Sequence, residues 1–125
     1  MHRGLGHSIE GRACLCHYDE FTDHLTVYAA SQGPHAHKRA ICGLLDWDEE
    51  RVRVVAHDVG GGFGPKMSFY AETIVASIAS IMLKRPVKWI EDRREHLESA
   101  CHSRDQIHDA EISFDDTGRI LAFQD

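Results

Sequence analysis

The sequence lacks both an excess of basic residues and a long hydrophobic run. It has 14 Lys and Arg against 20 Asp and Glu, which gives a formal net charge of -6. Because nucleic acids and anionic membrane surfaces attract basic patches, neither is an expected partner. The longest uncharged apolar stretch, residues 73–83, is too short to cross a bilayer, and no signal-peptide segment follows Met1. We therefore expect a soluble, cytoplasmic protein without membrane insertion.

The cysteines also lack the spacing of a metal site or of a disulfide framework. One residue separates the first two cysteines, whereas a zinc-binding pair usually has about two to four residues between its ligands. No second ligand pair follows at the distance of a zinc finger, and the ten histidines share no ligand spacing. We expect reduced, mostly buried thiols and no structural zinc. The four cysteines are Cys14, Cys16, Cys42 and Cys101.

Hydrophobic periodicity predicts an α+β fold with a mixed sheet and two main helices. The predicted strands are residues 12–18, 25–30, 52–56, 87–90, 107–114 and 120–123. The predicted helices are residues 35–45 and 70–83, with a helical turn over 91–97 and a frayed start over 1–9. The second helix is apolar or small on almost every side, so we expect it to be buried in a larger body. The chain is interpreted as one part of a larger domain.

A glycine-rich loop, Gly60 to Gly64, connects the apolar strand at residues 52–56 to this second helix. Glycine suits a backbone that must take positive φ or touch a ligand directly. The loop does not match a phosphate-binding P-loop, because Pro65 stands where the second glycine is required and Met67 where Ser or Thr is required. The dinucleotide fingerprint fails at the same two positions. From the loop alone, a structural turn and a ligand cradle remain equally open.

Three spaced motifs stand out along the chain: Ser-Gln-Gly-Pro-His at residues 31–35, Asp-Val-Gly-Gly-Gly-Phe-Gly-Pro-Lys at 58–66, and Arg-Pro-Val-Lys-Trp at 85–89. Together they resemble the molybdopterin-binding large subunit of the molybdenum hydroxylases, the family of xanthine dehydrogenase, aldehyde oxidase and carbon monoxide dehydrogenase. The resemblance continues through residues 102–106 to the end and covers the chain from about residue 10. It implies that residues 1–125 are a partial molybdopterin-binding domain.

The resemblance also implies which residues serve the cofactor. In such proteins the Gln of the first motif lies beside molybdenum and donates a hydrogen bond to an oxo ligand of the metal, which is Gln32 here. The glycine loop closes over the cofactor, and the matching positions are Gly61, Gly62, Phe63 and Gly64. Gln32 and Phe63 are therefore the expected catalytic residues, and no protein side chain is expected to bind the metal directly.

By resemblance, the chain serves hydroxylation or oxidation of an aldehyde or related small substrate, or of CO, with water as the oxygen source. The implied cofactor is a molybdopterin-type molybdenum cofactor, as such or as its cytosine dinucleotide. Iron-sulfur clusters and FAD are expected only on partner subunits, and the rest of the large subunit is a further partner. The glutamate base of the family lies outside this chain, so the chain alone is expected to be inactive. The alternatives are a small non-catalytic binding module and an inactive remnant that retains the glycine loop.

Residues around the loop give finer expectations. Purine-oxidising members of the family place a glutamate directly after the loop lysine, where this chain has Met67, which argues against xanthine as substrate. Asp58 is interpreted either as an anchor that accepts N–H groups of the loop or as a surface acid. Lys66 is expected to contact the cofactor or neighbouring backbone. We expect structural ion pairs or solvated groups at Arg93, Arg94, Glu95 and Arg104.

Overall fold

A four-stranded mixed sheet and a separate two-stranded hairpin contain the strands of the computed structural model, which describes residues 4, 6–102 and 107–125. The strands of the larger sheet are β1 (Ala13–Asp19), β2 (His24–Ala29), β3 (Val52–Val55) and β4 (Val87–Ile90). The hairpin consists of β5 (Glu111–Phe114) and β6 (Ile120–Gln124). The helices are α1 (Pro34–Leu45), α2 (Ala71–Leu83) and α3 (Arg93–Ser99), with a 3₁₀ turn at Glu49–Arg51. The α+β prediction is confirmed.

The order β3-β2-β1-β4 combines antiparallel and parallel pairing. β1 pairs antiparallel with both β2 and β4, and β2 pairs parallel with β3. The tight turn between β1 and β2 is stabilised by Asp19, whose carboxylate accepts hydrogen bonds from the Phe21 N–H and the Thr22 hydroxyl. The parallel pair needs a crossover connection, and α1 supplies it. Pro34 at the first turn suits the start of this helix, and Asp46 in the left-handed conformation ends it.

The hydrophobic core lies between one face of the sheet and the two long helices. Alternate residues of the strands point into it, together with residues of α1 and α2. These buried residues are Cys14, Cys16, Leu25, Val27, Ile41, Cys42, Val52 and Ala76. The thiols in this set are free and buried, as expected from the sequence, and Cys101 is partly buried.

Helix α2 contacts the sheet through small residues and leaves its large apolar residues exposed. Its buried positions are Thr73, Ala76, Ser77 and Ser80. The Ser80 hydroxyl accepts from the Tyr18 N–H and donates to the Arg85 carbonyl, so the helix is bonded to β1 and to its own exit loop. The exposed apolar residues of this helix include Val75, Ile78, Met82 and Leu83. Small side chains let the helix axis approach the sheet closely, and the bulky residues lie on its exposed side.

The hairpin of β5 and β6 begins later than the sequence predicts, because the predicted strand from residue 107 becomes regular only at Glu111. All residues of both strands are exposed, apolar ones included. Among the described residues, no helix is long and apolar enough to cross a membrane.

Candidate functional site

The parallel pairing of β2 and β3 brings two distant sequence motifs to the same edge of the sheet. Gln32 follows the carboxyl end of β2, and the glycine loop follows the carboxyl end of β3. The Gln32 carboxamide oxygen accepts a hydrogen bond from the Gly64 N–H at 3.0 Å, and the Gln32 N–H donates to the Lys66 carbonyl at 3.0 Å. Open α/β sheets usually bind ligands at the carboxyl ends of their strands. The sequence-predicted site residues therefore meet where a ligand site is expected.

Gly62 lets the loop approach Gln32 closely. A Cβ atom at this position would lie 2.3 Å from the Gln32 Cδ and 2.5 Å from its Oε1, so any side chain here would force the Gln32 side chain to move. Gly64 has a different requirement, since its φ of +102° is strained for any other residue although its surroundings are open. Gly61 directs its N–H to the Val59 carbonyl at 2.8 Å. The main chain of the loop therefore lies next to Gln32 with few side-chain atoms around it.

Phe63 lies in the left-handed region, with φ of 53°, although it has a side chain. Its ring is 70% exposed. Such a conformation costs on the order of 1–3 kcal/mol and occurs often at functional sites. The Phe63 carbonyl faces Gly6, where a Cβ atom would approach it to 2.5 Å, so the backbone at Gly6 packs against the loop. Ser8, in the segment expected to be frayed, is buried for the same reason.

Glu10 and Lys66 form an ion pair beneath the loop. The Lys66 side chain is fully buried, and its ammonium lies 2.5 Å from Oε2 of Glu10. The same carboxylate oxygen accepts the Gly60 N–H at 2.8 Å. The hydrogen bond from Lys66 is the main cause that holds the pKa of Glu10 below its usual value, against the opposing effect of burial.

The anchoring carboxylate is thus at a position that the sequence did not reveal. Asp58, for which the sequence left a loop anchor and a surface acid open, is exposed, and Glu10 accepts the Gly60 N–H. No sequence motif marks Glu10, because it reaches the loop from a point 50 residues away in the chain. The expected contact of Lys66 with neighbouring backbone is present, because the Lys66 carbonyl accepts a hydrogen bond from the Gln32 N–H.

Ser31 and His37 support the turn that carries Gln32. The Ser31 hydroxyl accepts the Gly33 N–H at 3.0 Å and lies 3.3 Å from Nε2 of His37. Both side chains are buried, and burial lowers the pKa of His37. A neutral His37 is therefore favoured at the first turn of α1. The polar pair fixes the Gln32 backbone from the helix side.

A second buried polar cluster lies around Arg12 and joins β1, β4 and α3. The guanidinium donates to Oε1 of Glu91 at 2.7 Å through Nε, and the other carboxylate oxygen lies 2.8 Å from Nδ1 of His96. Arg12 also stacks over Tyr70, with 3.6 Å between the guanidinium carbon and the ring centroid. Arg12 and Glu91 compensate each other's charge within the fold, while Nη1 of Arg12 and Nε2 of His96 are buried without a hydrogen-bond partner among the described residues.

The charged residues of α3 have the structural roles expected from the sequence. Glu95 forms a capping box with Asp92 at the start of the helix. Arg93 donates to the carbonyls of Ser8 and Ile9, and Arg94 pairs with Glu98 on the surface. Arg104 and the motif residues 103–106 lie outside the described residues.

The donor set around the loop fits an oxygen-rich cofactor. Because the Gln32 oxygen already accepts the Gly64 N–H, the two N–H donors of its carboxamide are the groups left to bind a ligand. Because Gly62 has no side chain, the Gln32 side chain packs directly on the main chain of the loop. A neutral amide and peptide N–H groups can bind anionic oxygen atoms without adding charge.

Comparison with known proteins gives a consistent result. The family model of the molybdopterin cofactor-binding domain matches residues 1–125. The carbon monoxide dehydrogenase large chain of Hydrogenophaga pseudoflava is 38% identical over 116 residues, which is 93% of this chain and 14% of that one. The nicotine 6-hydroxylase large subunit of Paenarthrobacter nicotinovorans is 38% identical over 112 residues, which is 90% of this chain and 14% of that one.

A solved structure shares the fold as well as the sequence pattern. The Cu,Mo-CO dehydrogenase in its carbon monoxide reduced state matches 98% of this chain and 15% of its own, with a TM-score of 0.82 and 34% identity. The chain therefore spans about one seventh of the length of these relatives. Together, the family match along the whole chain and the shared fold show that this chain belongs to the molybdopterin cofactor-binding domain family of the molybdenum hydroxylases.

Proposed function

We propose that this chain forms one wall of the molybdopterin pocket in a molybdenum-dependent oxidoreductase. The observation that carries the proposal is the hydrogen bond from the Gly64 N–H to the Gln32 side chain. It joins the two motifs that matter most for the family and directs the remaining N–H groups of the Gln32 amide toward a ligand. The close packing of the Gly62 main chain on the Gln32 side chain holds this amide at the loop.

Each site residue has a distinct task in this proposal. Gln32 donates an N–H to an oxygen of the bound cofactor and orients it. The main chain of Gly61, Gly62 and Gly64 allows close contact, while the exposed Phe63 ring covers the site and limits the access of water. The cofactor, when bound, supplies the redox chemistry by which the substrate is oxidised with oxygen from water.

The proposed substrate is an aldehyde or related small molecule, or CO. Met67 supports a small substrate, because it follows Lys66 directly and is half exposed at the end of the loop. A thioether offers neither the charge nor the acceptor geometry that would hold a purine. The names of two relatives, carbon monoxide dehydrogenase large chain and nicotine 6-hydroxylase large subunit, show that related chains serve different substrates.

We further propose a cytoplasmic complex. Relatives named as a large chain, a large subunit and a subunit gamma support partner subunits, to which we assign the iron-sulfur clusters and the flavin. The cofactor is molybdopterin or its cytosine dinucleotide. By this proposal the 125-residue chain alone is inactive.

The test is a comparison of variants in the complete protein that contains this chain, produced together with its partner subunits. Gln32→Ala and Phe63→Ala should retain the fold but lower oxidation of an aldehyde or of CO; for Gln32→Ala the loss should be roughly 100- to 1,000-fold, as for the removal of one preorganised donor. Glu20→Gln, which changes a surface ion pair far from the loop, is the matched control. Molybdenum and pterin content are measured for each protein.

Two outcomes would contradict the proposal. If the unaltered protein bound neither molybdenum nor pterin, the chain would be better described as a binding module or a remnant. If it bound both but Gln32→Ala left molybdenum content and turnover unchanged, the assignment of the site residue would be wrong.

A further inference from the structure

We propose that Glu10 and Lys66 are positioning residues for the cofactor site, whose ion pair sets the geometry of the glycine loop and of Gln32 together. The role as a cofactor site rests on the function proposed above. The mechanical part of the inference rests only on contacts within this chain. It assigns a task to two residues that contact the loop from below rather than the ligand.

The first observation is the burial of the Lys66 ammonium. Lysine is almost never fully buried unless it is paired, because a charge removed from water is costly. Here the Lys66 side chain is completely buried and its partner Glu10 is 44% exposed. The surface pair of Lys84 and Glu20 offers a contrast within the same molecule, with both side chains more than half exposed.

The second observation is that one carboxylate oxygen serves two groups. Oε2 of Glu10 accepts from the Lys66 ammonium at 2.5 Å and from the Gly60 N–H at 2.8 Å. The Glu10 N–H also donates to the Gly60 carbonyl at 3.3 Å. Gly60 is therefore held through both of its main-chain groups, and the start of the loop is fixed relative to Lys66, which follows the end of the loop.

The third observation extends this connection to the backbone and the side chain of Gln32. The Lys66 carbonyl accepts the Gln32 N–H, and the Gln32 side chain accepts the Gly64 N–H, both at 3.0 Å. Lys66 is thus bonded by its side chain to the start of the loop through Glu10 and by its main chain to Gln32. A displacement of Lys66 would move the Gln32 backbone and change which way its amide points.

The experiment removes the charge pair with little change in side-chain size. Glu10→Gln retains an oxygen acceptor but leaves the buried ammonium without a countercharge, and Lys66→Met retains most of the unbranched side chain without the ammonium. Glu20→Gln is the control, because it alters an equivalent Lys–Glu pair on the surface. Amide hydrogen exchange and molybdenum content are measured in the complete protein, and exchange is also followed before cofactor is loaded.

A positioning role predicts a coupled response. In Glu10→Gln the backbone N–H groups of Gly60, Gly64 and Gln32 should exchange about tenfold faster, as expected for the loss of a charge-assisted hydrogen bond. The amides of β1 and β2 should keep their protection. Molybdenum content should fall severalfold, and in the loaded fraction kcat should fall more than KM changes. The same changes are expected in Lys66→Met, and none in Glu20→Gln.

The double variant Glu10→Gln/Lys66→Met separates positioning from stability. It removes the buried ammonium that Glu10→Gln leaves without a countercharge, so the midpoint of denaturant unfolding should be at least that of Glu10→Gln, while fast exchange of the Gly64 and Gln32 backbone amides and the loss of molybdenum should persist. If the double variant restored both, or if only the Gly60 amide responded to Glu10→Gln, the positioning role would be overturned. A protein that never binds molybdopterin would overturn the proposed function, and the exchange data would still decide the mechanical role.

Discussion

Replacing Gly62 with alanine tests the contact between the loop and Gln32. The added methyl group would lie 2.3 Å from Cδ, 2.4 Å from Cγ and 2.5 Å from Oε1 of Gln32. All three atoms belong to a flexible side chain, so the overlap is relieved by rotating Gln32 away and not by moving backbone. The hydrogen bond from the Gly64 N–H is lost in this rotation, and the amide no longer faces the ligand.

The energetic cost of this change should be small, whereas the functional cost should be large. Loss of one neutral hydrogen bond costs about 1 kcal/mol, and Gly62 does not have a positive φ. Alanine also reduces the entropy of the unfolded chain, which contributes up to about 1 kcal/mol in the opposite direction. We therefore expect global stability within about 1 kcal/mol of the unaltered protein. Turnover should fall roughly 100- to 1,000-fold, as in Gln32→Ala, because the same donor is lost.

The assay combines turnover with hydrogen exchange at the Gly64 amide, which should become about fivefold faster for a loss of about 1 kcal/mol. The double variant Gly62→Ala/Gln32→Ala is decisive, since Gln32→Ala removes the atoms that the methyl group meets. Its turnover should match that of Gln32→Ala alone, because the effects of substitutions at residues in contact are not additive. Gly43→Ala in the last turn of α1, where a Cβ meets nothing within 4 Å, is the control. Normal turnover in Gly62→Ala, or fully additive losses in the double variant, would refute the reasoning.

Two further predictions concern the buried charges. Glu91→Gln leaves the Arg12 guanidinium, which is 5% exposed, without its main counterion. The free energy of opening β1 and β4, measured by hydrogen exchange, should therefore fall by about 3–5 kcal/mol. Unchanged exchange rates in these strands would contradict this prediction. The hydrogen bond from Lys66 holds the pKa of Glu10 below 4.5. The ion pair of Glu10 and Lys66 therefore contributes its full stabilisation above about pH 4.5, and this stabilisation is lost as the pH falls through the lowered pKa. Protection of the Gly60 amide should be flat from about pH 6 to 8 and lost in acid, with the loss beginning at higher pH in Lys66→Met; identical acid profiles would refute the pairing.

The order of strands and helices could be predicted from the sequence because their signals are local. Element types follow from patterns within a few residues, namely alternating apolar and polar residues in the strands, the proline at the start of α1 and the glycine loop between β3 and α2. The resemblance added Gln32 as the partner of the loop. The sequence also suggested that α2 is apolar all round, but periodicity could not show that its small residues would face the sheet. That choice depends on how closely Ser77 and Ser80 let the helix approach β1.

The residues that support the site were the part that sequence reasoning missed. Glu10 and Arg12 lie in a stretch whose composition has no unusual feature, and their partners are 56 and 79 positions away. Pairings of this kind are decided by tertiary packing, which no local pattern records. Asp58 looked suitable as an anchor because it adjoins the glycines, yet adjacency in the chain does not place a carboxylate beneath the loop.

The crossover from β2 through α1 to β3 has a consequence for when the site comes into existence. Gln32 and Gly64 are separated by 32 positions and meet only once the parallel strands have paired. Contacts between distant segments form late in folding, because loop closure must be completed before they contribute. A nascent chain therefore carries both motifs but no cradle. The cradle is therefore a property of the paired strands, and neither motif presents it as a linear segment.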